Sequence, residues 1–461
     1  RSLVGSEMCI RDSSYMYRDL TKGKISSTLI LFALPMIGGN LLQQFYNIAD
    51  TLIVGRVIGR NALAAVGSAY TLMTFLTSVF LGLSMGSGAL FSIYYGQNRK
   101  DRLRLAILHS LVLIIAVTLL VNILVFVFLD PILTFMRVPD KVRPDMKIYL
   151  EIIFAGLIAT SLYNYCSCML RALGNSLAPL VFLGISSVVN IGLDLLFIAV
   201  FRMGVKGAAA ATVIAQYISA IGILLYTIIK CREFLPGRDD RHYNPGILKE
   251  ITKMSSLTCV QQSVMNFGIL MVQGLVNSFG PVTMAAFAAA VKIDTFAYLP
   301  VQDFGNAFST FVAQNYGAGQ HERIRRGTKE AFGLSMVFCI VISAVVFIFA
   351  RQLMGIFVKA DEIDVIASGV RYLRIEGAFY IGIGWLFLLY GYFRAIKKAG
   401  MSVVLTVISL GMRVLLAYVL AYFIGETGIW MSIPIGWILA DITGIICIGA
   451  IRPDGNGNKI S

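Results

Sequence analysis

Apolar positions in this chain do not alternate as in a half-buried strand, nor fall at every third or fourth place as in a surface helix. They come in long runs, most of them near or above the roughly 20 residues that a helix needs to cross a bilayer. In the first half the runs lie at 28–54, 62–92, 105–129, 148–170, 178–201 and 207–229. In the second half they lie at 254–279, 284–314, 331–350, 366–393, 401–424 and 429–450. The pattern predicts an all-α polytopic membrane protein with about twelve transmembrane helices, six in each half. No stretch reads as a large soluble domain.

Composition agrees, with 57% hydrophobic residues, only 14% charged residues and a mean hydropathy of +0.78, values foreign to soluble domains. The formal net charge of +14 would suggest nucleic acid in a soluble protein. Here the placement of the basic residues decides otherwise. With the N-terminus inside, 23 of the 39 Lys and Arg fall on inner segments and 12 on outer ones, where they mix with Asp140, Asp145, Asp361, Glu362 and Asp364. That bias is the positive-inside pattern. It predicts a multi-pass cell-membrane protein with both termini cytoplasmic and no nucleic-acid partner.

Seven cysteines fall mostly within the spans, where a thiol packs as a small apolar group, and only His109, His242 and His321 accompany them. No disulfide framework and no zinc site is expected. Residues 1–14 lack the apolar core of a signal peptide and read as a non-native leader, with Met16 as a natural start.

The second half repeats the first. At an offset of 221, Gly59, Ala64, Ala65, Ala69, Thr74, Phe75, Tyr95 and Gly96 fall on Gly280, Ala285, Ala286, Ala290, Thr295, Phe296, Tyr316 and Gly317. Tyr149-Leu150 and Arg171-Ala172 fall on Tyr372-Leu373 and Arg394-Ala395 at 223, and Gly204 and Gly207 on Gly425 and Gly428 at 221. Six spans per copy give both copies the same orientation, related by an axis along the membrane normal. The expected organisation is an N-terminal six-helix lobe at 15–230, a cytoplasmic linker at 231–247, a C-terminal six-helix lobe at 248–452 and a cytoplasmic tail at 453–461.

Leu34-Pro35, Gln43-Gln44, Asn47, Ile48-Ala49-Asp50, Val54-Gly55-Arg56 and Ala64-Ala65-Val66-Gly67 resemble the opening of the multidrug and toxic compound extrusion (MATE) transporters. Ala285-Ala286-Phe287, Lys292-Ile293-Asp294, Phe304-Gly305 and Gln314-Asn315-Tyr316-Gly317-Ala318-Gly319 are similar to the family's matching region in the second half. The resemblance spans roughly residues 18–450. It implies two six-helix lobes related by pseudo-twofold symmetry and arranged as a V. It also implies a secondary active antiporter that exports organic cations or amphipathic drugs in exchange for H+ or Na+. The expected setting is a bacterial inner membrane, with the lipid bilayer and a small organic substrate as partners, a monomeric chain, no cofactor beyond the coupling ion and no catalytic residue.

Charges within the spans point to the same chemistry. A bare carboxylate at mid-membrane costs at least about 2.5–3.5 kcal/mol and marks function or pairing. Asn190 and Asp194, four apart, share a helix face, and Asn47 stands three residues before Asp50. Such a set suits a small cation, a proton or sodium. Comparison with the repeat mates is one-sided: Asp50 maps to Met271, Asn190 to Arg413, Asp194 to Ala417, Asn164 to Phe387 and Thr212 to Ile433. The family branch with an aspartate in its first helix implies an ion site at Asp50, Asn164, Asn190, Asp194 and Thr212. A buried hydrogen-bond network without transport chemistry stays open beside it.

Further candidates for substrate lining or gating are Pro35, Gln43, Asn47, Lys292, Asp294, Asp303 and Arg413. Pro35 removes one helix bond and permits a kink. Asp303, eleven residues after Lys292, returns to its face, whereas Asp294 does not. Arg413 has Asp441 or another acid as a structural partner to choose from.

Two other classes compete. A flippase for lipid-linked oligosaccharides would need a basic cavity, and only Lys292 and Arg413 lie at membrane depth. A membrane-embedded enzyme would need a nucleophile, base or metal set there, and none is visible, so no enzymatic activity is expected. Arg99-Lys100-Asp101-Arg102 lacks the flanking glycines of another twelve-span facilitator superfamily.

Overall fold

A computed structural model describes residues 18–450 apart from 59, 136–137, 139, 238–239 and 241–242. The expected leader at 1–14, the start at Met16 and the tail at 453–461 lie outside the described residues. Among the described residues the structure contains helices and no strand.

In the first half the helices are α1 (Ile25–Ile53), α2 (Arg60–Gly96), α3 (Lys100–Val127), α4 (Leu129–Phe135), α5 (Arg143–Ala155), α6 (Leu157–Ala172), α7 (Leu177–Asp194) and α8 (Gly204–Lys230). In the second they are α9 (Pro245–Ser278), α10 (Pro281–Gly317), α11 (His321–Phe357), α12 (Ile363–Gly377), α13 (Tyr380–Ala395), α14 (Ala399–Ile424) and α15 (Glu426–Ala450). Among the described residues, ten helices are long and apolar enough to cross a membrane, and the pairs α5–α6 and α12–α13 complete twelve if each counts as one span.

The expected fourth and tenth spans are thus not straight, since α5–α6 bends by 45° and α12–α13 by 52°. Gly156 sits at the first break, where an added Cβ would lie 2.4 Å from Gln216 Oε1 on α8. At the second break Gly377 ends α12, with Val346 Cγ1 of α11 3.2 Å from where a Cβ would lie. Both bends therefore occur at glycines that a neighbouring helix approaches closely.

Turns repeat in register as well. Asn98 and Gly319, Gly174 and Lys397, and Gly204 and Gly425 all take left-handed backbone (φ 55°, 69°, 90°, 63°, 62° and 64°), and each pair matches at an offset of 221 or 223. The duplication thus extends to the conformation of single residues.

Two helices do not end as regular α-helix. A π-helical turn at Val54–Ile58 follows α1, and another at Leu195–Val200 follows α7. The two turns pack against each other. Wide turns of this kind carry an inserted residue and recur at functional sites.

The chain divides into two compact units, and the division cuts through helices. The first unit holds Leu34–Cys259 together with residues 18–19, and the second holds Leu20–Ala33 and everything from Val260 onward. So α1 begins in the second unit and continues in the first, and α9 does the reverse.

In the first unit, Phe80, Leu133, Met146, Leu150, Phe154, Ile198 and Ala208 form a buried core. At Gly82 and Gly86, Cβ atoms would lie 2.5 Å and 2.6 Å from the Cα atoms of Cys259 and Ser255. This is backbone-to-backbone packing through small residues, which serves where lipid removes the hydrophobic drive between helices. In the second unit the Trp430 ring stacks on Phe287 at 5.4 Å and meets Tyr372 edge-on at 5.0 Å. The most apolar stretch of α11 is only 17% buried, as suits a lipid-facing helix.

Candidate functional site

Four of the five residues in the expected ion set come together in the first unit. Asp194 closes α7 with no exposed surface, and Asn190, one turn earlier, is 2% exposed. Asp50, near the end of α1, turns its carboxyl to that of Asp194. Thr212 stands on α8 across from Asn190.

The hydrogen bonds among them fix which atoms are presented. The Thr212 hydroxyl donates to the Ala208 carbonyl at 3.0 Å, so it can only accept from Asn190, whose Nδ2 lies 3.4 Å away. With its NH2 group directed at Thr212, Asn190 is left with its oxygen. That Oδ1, Asp50 Oδ1 and both carboxyl oxygens of Asp194 are buried without a hydrogen-bond partner among the described residues. Native interiors leave few polar atoms in that condition, and here four share one cluster and all four are acceptors. A group with this donor set fits a proton or a small cation, and two adjacent carboxylates cannot both stay charged without one.

Asn164 stands apart. Its Nδ2 donates to the Thr160 carbonyl one turn back on α6, at 2.9 Å. On α1, Gln43 bonds the Tyr46 side chain, and Asn47, one turn before Asp50, accepts from Thr51 Oγ1 through its carbonyl at 2.7 Å. Pro35 lies within α1, two residues into the part that belongs to the first unit.

The second unit holds acids of its own. Asp294 on α10 is 4% exposed and both its oxygens are occupied, by the Tyr372 hydroxyl at 2.8 Å and by the Tyr380 hydroxyl. Glu376 on α12, 2% exposed, lies beside Asp294 and Tyr372, with the Arg413 guanidinium as the neighbouring positive charge. The acid facing Arg413 is therefore Glu376 with Asp294, while Asp441 on α15 keeps a buried, unpartnered Oδ1.

Lys292 does not join this group. It is exposed, with its ammonium 5.9 Å from the centre of the Phe357 ring. Asp303 is buried, but nine residues place it about 14 Å along α10 from Asp294.

The MatE family profile matches the chain twice, over residues 35–196 and again over 258–419. The chain belongs to the MatE family. The two matches stand 223 residues apart and cover the two copies of the repeat. This MatE chain is 29% identical over 424 residues to the probable multidrug resistance protein YpnP of Bacillus subtilis, covering 92% of this chain and 94% of that one. It is 26% identical over 435 residues to the probable multidrug resistance protein NorM of Thermotoga maritima, covering 91% and 90%. Its fold matches an outward-facing structure of a multidrug resistance MATE family transporter of the MOP superfamily, with a TM-score of 0.88 at 22% identity over 94% of this chain and 97% of that one. The MatE fold of two six-helix lobes is thus the fold of this chain, and the family is one of multi-pass membrane transporters.

Sequence reasoning misses the tyrosines of both clusters. Tyr149 on α5, 7% exposed, faces Asp50, Asp194 and Tyr46. Its repeat mate is Tyr372, the donor to Asp294. The pairing of Tyr149 with Tyr372 is visible as a repeat match; its chemistry is not, because a lone tyrosine in an apolar run reads as packing.

Proposed function

We propose that this MatE protein is a secondary active antiporter that exports organic cations or amphipathic drugs in exchange for H+ or Na+, with the coupling ion held by Asp50, Asn190 and Asp194. The observation that carries this reading is the cluster of four buried acceptor oxygens with no donor among them. Thr212 orients Asn190, and Tyr149 stands by as a neutral hydroxyl. Asn164, which the family resemblance places in the same ion set, lies on α6 with its amide bonded to the Thr160 carbonyl.

The coupling follows from electrostatics. A bound monovalent cation cancels one of the two charges of the Asp50–Asp194 pair and so removes their mutual repulsion. When it leaves, two unit charges about 4 Å apart at an effective dielectric of about 20 repel by about 4 kcal/mol. That is enough to shift a two-state equilibrium about a thousandfold. Asp50 and Asp194 each stand just before a π-helical turn, so the repulsion acts on helix ends that already depart from regular geometry. Pro35 supplies a place for α1 to bend.

The lobes of this antiporter are residues 15–230 and 248–452, joined by the linker 231–247, with both termini cytoplasmic in a bacterial inner membrane and one chain as the working unit. A flippase for lipid-linked oligosaccharides is disfavoured, because Lys292 is exposed against Phe357 and Arg413 faces acids, which leaves no basic cavity from those two residues.

Reconstituted vesicles test the reading. Ethidium export is measured under a sodium gradient and then under a pH gradient, which also identifies the ion. Asp194→Asn is expected to abolish gradient-driven export while the protein still inserts and binds ethidium. Export by this variant at the wild-type rate would overturn the proposal.

A further inference from the structure

We propose that Arg323 is a positioning residue for export: it fixes the N-terminal part of α1 in the second unit, so that ion binding at Asp50 works against a held end. The inference rests on the antiporter reading above.

Residues Leu20–Ala33 belong to the second unit, and the rest of α1, with Pro35 and Asp50, to the first. What holds the early part is a dense set of bonds to the backbone just before the helix. Arg323, at the start of α11, donates from Nη1 to the Gly23 carbonyl at 2.8 Å and from Nη2 to the Lys22 carbonyl at 2.7 Å. It also reaches the Leu20 carbonyl from Nη2 at 3.3 Å and from Nε at 3.4 Å. One guanidinium thus gathers three carbonyls from a four-residue stretch, a task that needs a planar fork of several donors and that a lysine ammonium does not match. Its carbon lies 5.5 Å from the centre of the Phe311 ring, which adds a cation–π contact.

The end of α10 completes the clasp. The Leu20 N–H donates to Gln314 Oε1 at 3.2 Å, and Asn315 Nδ2 donates to the Leu20 carbonyl at 3.2 Å. One turn into α1, the Ser26 hydroxyl donates to Glu330 on α11.

The repeat supplies an independent argument. At an offset of 221, Asn315 and Arg323 fall on Tyr94 and Arg102. Tyr94 donates to Glu250 on the early part of α9, with Arg102 close by, and Ser87 and Ser255 bond at 2.9 Å. That part of α9 belongs to the first unit and the remainder to the second. The Tyr94/Asn315 position of each copy therefore contacts the start of a helix whose other end lies in the opposite unit. A contact serving local stability alone would have no reason to recur at both unit-crossing helices.

The experiment uses the full chain in detergent and in vesicles. Arg323→Gln is expected to lower the maximal rate of ethidium export at least about tenfold while KM and the equilibrium affinity for ethidium stay within about twofold, and Arg323→Lys to recover only part of the rate. A merely structural role would lower the unfolding temperature and the amount of folded protein with the rate per folded molecule intact, and that result would overturn the proposal. Hydrogen exchange on the wild-type protein gives a second test that needs no variant. Adding ethidium or changing the coupling ion is expected to alter exchange in residues 34–53 and leave 20–33 protected. Loosening of 20–33 together with 34–53 would overturn the proposal. Full export by Asp194→Asn would instead remove the antiporter reading, and the exchange measurement would still decide whether the N-terminal part of α1 is held.

Discussion

The two copies of the repeat bury acids beside the same tyrosine position, Tyr149 in the first unit and Tyr372 in the second, and they treat those acids in opposite ways. In the second unit Asp294 accepts from two tyrosines and Glu376 has Arg413 for a neighbour. In the first unit Asp50, Asn190 and Asp194 present four oxygens that no hydrogen bond among the described residues satisfies. A carboxylate with its own donors and counter-charge is complete without a ligand, and removing one partner from such a network is costly. A cluster of acceptors alone is complete only with an added cation. Duplication has kept the tyrosine position and divided the work.

The contrast is sharpened first by exchanging the acids for amides. Asp194→Asn is expected to cut ion-driven export at least about a hundredfold with little change in unfolding temperature, since the residue has no native donor to lose. A stability loss as large as the activity loss would erase the difference between the units. Asp294→Asn is expected to show the reverse weighting. It removes charge-assisted bonds from two tyrosines, at about 1.5–3 kcal/mol each, and thermal unfolding of the purified protein would reveal it.

Tyr372→Phe deletes one of those donors and should destabilise by about 1–2 kcal/mol, with ethidium KM unchanged. Export that collapses without loss of stability would place the second unit's acids in the transport path. The smallest effect is expected for Thr212→Ala. Asn190 loses the acceptor that orients its amide, which should weaken the apparent affinity for the coupling ion about threefold to tenfold, measured as the gradient needed for half-maximal export.

Much of this arrangement is legible in the amino-acid sequence. The twelve apolar runs correspond to the helical spans, and the MatE profile matching at 35 and again at 258 marks the duplication that the offsets of 221 and 223 indicate. Asp50, Asn190 and Asp194 stand out because polar atoms in apolar runs are rare and helical spacing tells which of them share a face.

The bends at Gly156 and beyond Gly377 are not legible, since hydropathy is blind to direction and an apolar run reads the same whether straight or broken. The pairing of the second unit's acids escapes for a different reason. Comparing repeat mates from Asp50 outward finds Met271, yet the comparison run backward from Asp294 and Glu376 finds Met73 and Ile153, core residues of the first unit. Each copy places its acids where the other packs hydrocarbon, so neither set predicts the other. Lys292 reads as a buried charge from its position in an apolar run, whereas its long stem lets the ammonium leave the packed interior.

The π-helical turn at Leu195–Val200 carries a consequence for the spacing of the chain. It starts directly after Asp194 and contains Ile198, which packs into the core of its unit. A turn of this type accommodates one residue more than an α-helix would. Deleting a single residue there would restore ordinary winding and swing every later side chain by about 100° relative to Asp194. The carboxyl could then point at its partner, or Ile198 could fill its hole in the core, but the shortened stretch of sequence could not do both.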